Sequence, residues 1–100
     1  MTQLNATQRR YLRAQAHALR PVVMIGDAGL SASVMHEIDI NLKAHELIKI
    51  RVLGDDREAR TAMLDSICST LNAENIQHIG KLLIVYRAAE KPKLTLPKSK

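Results

Sequence analysis

Hydrophobic residues recur at helical spacing in three segments of the chain, and each segment has a start signal. Asn5, with Gln8 three residues later, has the spacing of a capping box, which satisfies two backbone donors at a helix start. Ser31 is a favourable N-cap for the second segment, as is Asp55 for the third. The sequence predicts helices at residues 6–18 and 31–44 and a third helix that begins at Asp55.

Four shorter apolar segments have the patterns of β-strands. Residues 22–25 form an unbroken apolar run, which is typical of a strand buried on both faces. In residues 47–53 apolar residues alternate with Lys49 and Arg51, so this strand is predicted to be half exposed with a basic outer face. A β-hairpin follows, with strands at residues 76–79 and 82–86 and its turn at Gly80 and Lys81.

The order of these elements predicts an α/β fold. The series α-β-α-β-α-β-β is that of a two-layer domain with a mixed four-stranded sheet, in which both strand-helix-strand crossovers are right-handed. A chain of 100 residues has room for one domain, which we assign to residues 1–90. Residues 91–100 are rich in Lys and Pro and are predicted to be a basic, flexible tail.

Composition restricts the core and the cellular environment. The chain has no Phe or Trp and two Tyr, so the core is aliphatic and large stacking surfaces are missing. The single Cys68 excludes an internal disulfide, which favours a reducing compartment. Because no membrane span and no secretory signal occurs, we expect a cytoplasmic protein without a membrane partner. The Arg-rich first twenty residues also fit an organelle transit peptide, which is the alternative.

The charge distribution indicates a polyanionic partner. Lys and Arg number 15 against 10 Asp and Glu, a net charge of +5. Residues 1–25 hold four arginines and no acid, residues 91–100 hold four lysines and no acid, and the middle of the chain has a balance of −3. Clustered cations neutralise phosphates and release counterions, which favours nucleic acid. A solvated helix face with a solubilising tail is the structural alternative.

A glycine pair links the first predicted strand to the second helix. Gly26, Asp27, Ala28 and Gly29 form a Gly-x-x-Gly loop, and glycine permits positive φ and close approach of another molecule to the main chain. The helix that begins near Ser31 directs free backbone N–H groups and a partial positive charge at the same place. An anion therefore fits this loop, although a strand-to-helix reversal alone also uses glycines.

Enzyme motifs are not satisfied. Residues 29–33 come close to a nucleophile elbow, but Ser33 stands where its last glycine is required. Asn75 replaces the first glycine of a phosphate-binding loop ahead of Gly80 and Lys81. The four histidines lie on separate elements and no second cysteine completes a zinc site. We expect no catalytic residues, no metal and no cofactor.

Several motifs, in order along the chain, resemble the CRM domain, the chloroplast RNA splicing and ribosome maturation family. The resemblance is strongest to its stand-alone bacterial members, the YhbY-like proteins, and covers about residues 4–87. The motifs are Arg9-Arg10-Tyr11-Leu12-Arg13, Ala16-His17-Ala18-Leu19-Arg20-Pro21-Val22-Val23, Ile25-Gly26-Asp27-Ala28-Gly29-Leu30-Ser31 and His45-Glu46-Leu47-Ile48-Lys49-Ile50.

This resemblance implies an RNA-binding domain similar in fold to the C-terminal domain of translation initiation factor three. It implies a link to precursors of the large ribosomal subunit and RNA contact through the Gly-x-x-Gly loop. The family often has a basic residue after the first glycine, where this chain has Asp27. A carboxylate repels phosphate, so the backbone N–H groups of the loop are the expected contacts rather than its side chains.

We therefore expect a monomer that binds structured rRNA through phosphate contacts. The open alternatives are a module that docks on a ribosomal protein without touching RNA, and a DNA-binding protein that uses the same arginines. The expected RNA-binding residues are Arg9, Arg10, Arg13 and Arg20, the loop residues Gly26, Asp27, Ala28 and Gly29, and, as an extension, Lys49, Arg51, Lys81 and Arg87.

Overall fold

The computed structural model describes residues 4–89 and Leu96. Three helices and four strands alternate in the predicted order, so the α/β class is confirmed. None of the described helices is long and apolar enough to cross a membrane. The elements are α1 (Ala6–Ala16), β1 (Val23–Ile25), α2 (Ala32–His45), β2 (Leu47–Val52), α3 (Arg57–Leu71), β3 (Glu74–Ile79) and β4 (Leu82–Tyr86).

The helix starts follow the polar caps in the sequence. Asn5 and Gln8 form the predicted capping box, with Gln8 N–H donating to the Asn5 side chain at 2.8 Å. Ser31 caps α2 as predicted. The cap of α3 is Asp56 rather than Asp55, because the Asp56 carboxylate accepts the Ala59 N–H at 3.1 Å. The first carboxylate of this acidic pair is turned outward into solvent instead.

The four strands form one mixed sheet, as predicted, and their order is β1-β2-β4-β3. β1 and β2 are parallel and are joined through α2, while β4 is antiparallel to both of its neighbours. β3 begins at Glu74, two residues before the predicted start. The alternation is lost there because the register between β3 and β4 shifts between Asn75 and Gln77. Periodicity alone cannot place a strand start across such a bulge.

Helices cover both faces of the sheet, so the fold has three layers rather than the two expected. The main core joins α2 and α3 to one face and includes Ile38, Ile50 and Ile67, all fully buried. A second cluster holds α1 against the opposite face. β2 and β4 carry apolar residues on both faces, which is the physical reason for the third layer. This second cluster consists of Leu12, Ala16, Leu47, Ile76, Ile84 and Tyr86.

α1 covers only part of its face of the sheet. Met24, expected to be buried within β1, is 57 % exposed, because β1 is an edge strand and α1 crosses β2 and β3. Ile79 is 44 % exposed at the other edge, and Leu53 is 45 % exposed just beyond β2. We call the uncovered region the open half of the sheet. Its residues are Met24, Arg51, Leu53, Ile79 and Leu82.

The expected flexible tail lies largely outside the described residues. Leu96 is described, and it packs with Leu4 and Tyr11 against the α1 cluster. The remaining residues of 91–100 fall outside the part of the chain that the structure describes.

Cys68 is a free, half-buried thiol packed against the main core. Burial raises its pKa to about 11, with smaller contributions from the negative charges of Glu74 and Asp65. A thiol with this pKa remains protonated near neutral pH and is a poor nucleophile. Its role in the fold is that of a small apolar side chain.

Arg87 joins the ends of α2 and α3 to the chain that leaves β4. Its guanidinium donates to the carbonyl of Leu71 at 2.9 Å and to the carbonyl of Asp39 at 3.2 Å. It also pairs with the Asp39 carboxylate at 2.9 Å. These hydrogen bonds, with a further one from Lys43, hold the pKa of Asp39 below its usual 3.8. Arg87 was expected to extend the RNA-binding surface, but its donors are used inside the fold.

Replacing Arg87 with Ala is therefore expected to lower the free energy of unfolding by about 1 to 2 kcal/mol, since hydrogen bonds to charged groups are lost. A lowered carboxylate pKa stabilises the fold above the unfolded-state pKa and loses this effect as the pH falls. The loss caused by Asp39→Asn should accordingly be present at pH 7 and shrink below about pH 4. Urea denaturation at both pH values measures these differences.

Lys43→Ala is the matched control, because this exposed lysine pairs with the same carboxylate at 3.2 Å. Surface pairs of this kind contribute about 0.5 kcal/mol or less. If Arg87→Ala unfolds at the same urea concentration as Lys43→Ala, the structural role assigned to Arg87 is wrong.

Candidate nucleic-acid interface

The Gly-x-x-Gly loop is a tight turn at the carboxyl end of β1. The Gly29 N–H donates to the Gly26 carbonyl at 2.9 Å, which closes a four-residue turn. Asp27 and Ala28 occupy the two corners of this turn and are exposed. The loop therefore presents main chain and two short side chains to solvent.

The two glycines serve different purposes. Gly29 has a φ of +68°, a left-handed conformation that other L-residues adopt only with strain. Gly26 has no such constraint, and a Cβ added to it would meet no atom within 4 Å. The fold therefore requires glycine at position 29 but not at position 26. The lack of a side chain on Gly26 leaves space in front of the main chain on the solvent side.

The N-terminus of α2 lies directly after this loop. The Ser31 side chain accepts the Val34 N–H at 3.2 Å, and the Ser31 N–H donates to the Gly29 carbonyl at 3.0 Å. These bonds satisfy two of the four N–H groups that every helix start leaves without an intrahelical partner. Within the described residues, the N–H groups of Ala32 and Ser33 have no hydrogen-bond partner, and they lie at the positive end of the helix dipole. This end of α2 can accept an anion.

Two cations from neighbouring strands lie near the loop. The Leu53 N–H donates to the Ile25 carbonyl at 2.9 Å, and the Val52 N–H donates to the Lys81 carbonyl at 2.8 Å. These bonds bring the ends of β1 and β2 and the hairpin turn to one edge of the sheet. Arg51 is exposed and pairs in register with Met24, two residues before the loop. Lys81 is exposed and forms an ion pair with the Asp55 carboxylate at 3.1 Å.

Arg9 lies at the opposite corner of the sheet from the loop. Its guanidinium donates to the Asn75 carbonyl at 2.7 Å and pairs with Glu74 at 3.3 Å, at the start of β3. Three strand spacings separate β3 from β1, about 14 Å, and five strand residues separate the two ends, about 17 Å. Arg9, one of the expected RNA-binding residues, thus lies away from the loop and connects α1 to β3.

The other arginines of the first segment retain free donors. Within the described residues, no hydrogen bond or ion pair is made by the side chains of Arg10, Arg13 and Arg20. Gln15 and Leu47 line a groove at the N-terminal end of β2. Arg13 lies about 200° from Gln15 around the helix and so on the opposite flank of α1.

Lys49 does not contribute to a basic outer face. It is 9 % exposed, and its Nζ donates to the Leu19 carbonyl at 3.0 Å under the chain that leaves α1. The alternating pattern of β2 correctly places Lys49 and Arg51 on one face. The sequence does not show that α1 covers the first of these residues and leaves the second uncovered, because their contacts are distant along the chain.

Sequence reasoning missed Arg60, which organises the loops at this edge of the sheet. Arg60 is 7 % exposed, and its guanidinium donates to the Gly54 carbonyl at 3.3 Å. Its Nε lies 3.4 Å from Nε2 of His78, which is 3.1 Å from the Gly80 carbonyl oxygen. Arg60 thereby links the loop after β2 with the hairpin turn. Its place on the buried stripe of α3, four residues before Leu64, was the available signal.

Comparison with known proteins identifies the class of this fold and site. The model of the CRS1 / YhbY (CRM) domain matches residues 4–87. The chain belongs to this family, and the expected resemblance is confirmed. The CRM domain is a binding domain and not an enzyme, so the expectation of a non-catalytic chain is confirmed as well. Among the residues that the structure describes, no group of three or more potential metal ligands occurs.

Particular relatives show the same extent of similarity. A protein of Haemophilus influenzae named RNA-binding protein is 42% identical over 98 residues, which are 98% of this chain and 99% of the relative. A protein of Pseudomonas aeruginosa named a probable RNA-binding protein is 34% identical over 93% of this chain and 89% of its own. The solution structure of a Staphylococcus aureus protein, described as a candidate for RNA binding, matches with a TM-score of 0.82 and 30% identity. It covers 95% of this chain and 100% of its own.

The two loop glycines are expected to respond differently to substitution. Gly29→Ala should lower the free energy of unfolding by about 1 kcal/mol, because alanine is strained at positive φ. Gly26→Ala should change it by less than about 0.5 kcal/mol, since the added methyl group meets nothing. Thermal or urea unfolding of both variants measures this difference. Equal losses for the two variants would contradict the conformations described for the loop.

Proposed function

We propose that this protein is a cytoplasmic RNA-binding protein that acts on precursors of the large ribosomal subunit. It binds folded rRNA through the Gly-x-x-Gly loop, the N-terminus of α2 and the exposed cations of α1, its exit, β2 and the hairpin turn. Family membership and the printed names of the relatives support RNA as the ligand. The cations with free or exposed donors are Arg10, Arg13, Arg20, Arg51 and Lys81.

Gly26 is the observation that carries this proposal. Neither its φ nor its surroundings require glycine, yet a bare main chain is presented there to solvent. At the N-terminus of the helix that follows this loop, the N–H groups of Ala32 and Ser33 have no hydrogen-bond partner among the described residues. A phosphate can approach such a backbone closely and accept hydrogen bonds from it. The space in front of Gly26 is therefore available to a ligand.

The cations available to bind RNA are fewer than a count of basic residues indicates. Arg9, Lys49 and Arg87 are committed to contacts within the fold and drop out of the proposed surface. Arg51 and Lys81 lie at the same edge of the sheet as the loop and are the cations best placed to contact a phosphate bound there. Asp27 opposes phosphate at the corner of the turn, so the main chain rather than the side chains of the loop makes the contacts.

The core contains no Phe or Trp, and Tyr86 is buried while Tyr11 is half buried against the α1 cluster. No aromatic side chain is therefore presented beside the loop for base stacking. The proposed recognition depends on the shape of the RNA backbone and on phosphate contacts. Such binding is strongly dependent on salt.

Substitution of the loop tests the proposal directly. Gly26→Ala should weaken binding of a large-subunit rRNA fragment about 5- to 10-fold, the equivalent of one lost backbone contact. Asp27→Asn should strengthen it, because a charge that repels phosphate is removed. Fluorescence anisotropy with labelled RNA measures both affinities. An affinity for Gly26→Ala equal to that of the unmodified protein would remove the loop from the interface.

Salt dependence tests the role of the cations. Neutralisation of about four phosphates predicts a slope of roughly −3 to −4 for log affinity against log salt concentration. Removing Arg10 and Arg13 together should reduce this slope by about 2 in magnitude. Lys43→Ala is the matched control, since this exposed lysine lies on α2, which packs against the other face of the sheet. A flat salt response would overturn phosphate binding altogether.

Association with ribosomal particles separates RNA binding from docking on a ribosomal protein. In a sucrose gradient of a cell lysate, the protein should sediment with large-subunit precursors. Gly26→Ala and the Arg10, Arg13 double variant should shift to the top of the gradient. Unchanged sedimentation of variants that have lost RNA affinity in solution would favour a protein contact instead.

A further inference from the structure

One row of side chains crosses all four strands on the open half of the sheet. Met24 is in register with Arg51, Arg51 with Leu82, and Leu82 with Ile79. Alternation along each strand places these residues on the face that α1 shares, since their strand neighbours Val23, Ile50 and Leu83 belong to the opposite core. The row begins two residues before the Gly-x-x-Gly loop.

Apart from its single arginine, this row consists of apolar residues, and the described part of the chain leaves most of it exposed. Met24 is 57 % exposed and Ile79 is 44 % exposed, and Leu53 adds a further exposed apolar side chain beside Arg51. Isolated apolar residues are normal on protein surfaces, but a contiguous group across a flat sheet marks an interaction surface. α1, which covers the other part of this face, leaves the row free.

The charge of this face selects the kind of partner. Among the described strand residues on it, Glu74 is the one carboxylate, and Arg9 neutralises it at 3.3 Å. The Arg51 side chain has no hydrogen bond or ion pair within the described residues. The face is therefore apolar and cationic. An unpaired nucleotide, which combines a flat base with a negative phosphate, complements such a surface.

We propose that the open half of the sheet binds unpaired nucleotides of the same RNA whose backbone the Gly-x-x-Gly loop contacts. This inference rests on the proposed function and extends it from phosphates to bases. A sheet of four strands is about 14 Å wide, with room for two or three bases laid side by side. RNA with a single-stranded loop or bulge is then preferred to a continuous duplex.

Met24 and Arg51 supply the base contacts that aromatic residues supply in other RNA-binding sheets. The planar guanidinium of Arg51 stacks on a base and donates to a nearby phosphate, which the ammonium of lysine cannot do together. The flexible thioether of Met24 packs against the face of an aromatic ring. Met24 is two residues before Gly26 in the sequence. The phosphate of a nucleotide whose base packs on Met24 therefore lies close to Gly26.

Binding of two RNA hairpins tests this inference. One hairpin carries a loop of unpaired nucleotides with 2-aminopurine in it, and the other has the same stem extended into a continuous duplex. Arg51→Lys and Met24→Ser should each weaken binding of the looped hairpin about 5-fold, and Met24→Ser should leave duplex affinity within about 2-fold. The 2-aminopurine fluorescence change seen with the unmodified protein should shrink in both variants.

Ile40→Ser is the matched control, because Ile40 is 50 % exposed on α2, which packs against the opposite face of the sheet. It should bind both hairpins with unchanged affinity. Thermal unfolding confirms that the variants are folded, which is expected because the substituted side chains are exposed.

The outcomes separate this inference from the proposed function. Full affinity of Arg51→Lys and Met24→Ser for the looped hairpin, together with weakened binding by Gly26→Ala, would overturn base binding and leave RNA binding intact. If the unmodified protein bound neither hairpin, both this inference and the proposed function would be overturned. Normal RNA affinity of the two sheet variants, combined with loss of their sedimentation with ribosomal particles, would assign this face to a protein partner and overturn the inference.

Discussion

The structure depends on the incomplete cover that one short helix gives to one face of the sheet. α1 has 11 residues and is therefore about 16 Å long, and it is fixed to the sheet mainly by Leu12 and Ala16. A sheet of four strands is too large for such a helix to cover. Half of this face consequently stays open, with Arg51 at its centre and the Gly-x-x-Gly loop at its edge. The opposite face has two longer helices and is closed.

This incomplete cover also determines which cations are free. Lys49 and Arg51 are two residues apart on the same face of β2, so their sequence environments are nearly identical. The chain that leaves α1 passes over Lys49, whose ammonium donates to the Leu19 carbonyl, while no described element passes over Arg51. A buried ammonium has to be hydrogen-bonded to be tolerated, and the Leu19 carbonyl meets this need. Position relative to α1 thus turns one cation into a structural contact and leaves the other for a ligand.

Much of the fold followed from local patterns, because helix caps and strand alternation are encoded within a few residues. The capping box of α1, the Ser31 cap and the hairpin all appear as predicted. The third layer was not predictable in the same way. It arises because residues such as Leu47 and Ile84 make the second face of the sheet apolar, and this is visible only when strand order and register are known.

In the candidate site, too, some features are encoded locally in the sequence and others depend on contacts between distant residues. The glycine loop could be found from spacing alone, whereas the roles of Arg9, Lys49 and Arg87 depend on partners that are 65, 30 and 48 positions away in the chain. Arg60 shows the converse case, since its helical spacing with Leu64 and Ile67 placed it among buried residues. An arginine on a buried stripe can be recognised from the sequence as a structural cation, although its acceptors cannot.

The lack of Phe and Trp then has a physical consequence for recognition. A sheet surface with aromatic side chains holds bases tightly with little help from charge, since each stacked base contributes about 1 to 3 kcal/mol. A surface built from Met24, Leu82 and one guanidinium holds a base more weakly and depends on neighbouring phosphate contacts to fix the strand. The loop and the open half of the sheet are for this reason parts of one interface. The main chain at Gly26 positions the backbone, and the apolar row distinguishes unpaired nucleotides from a duplex.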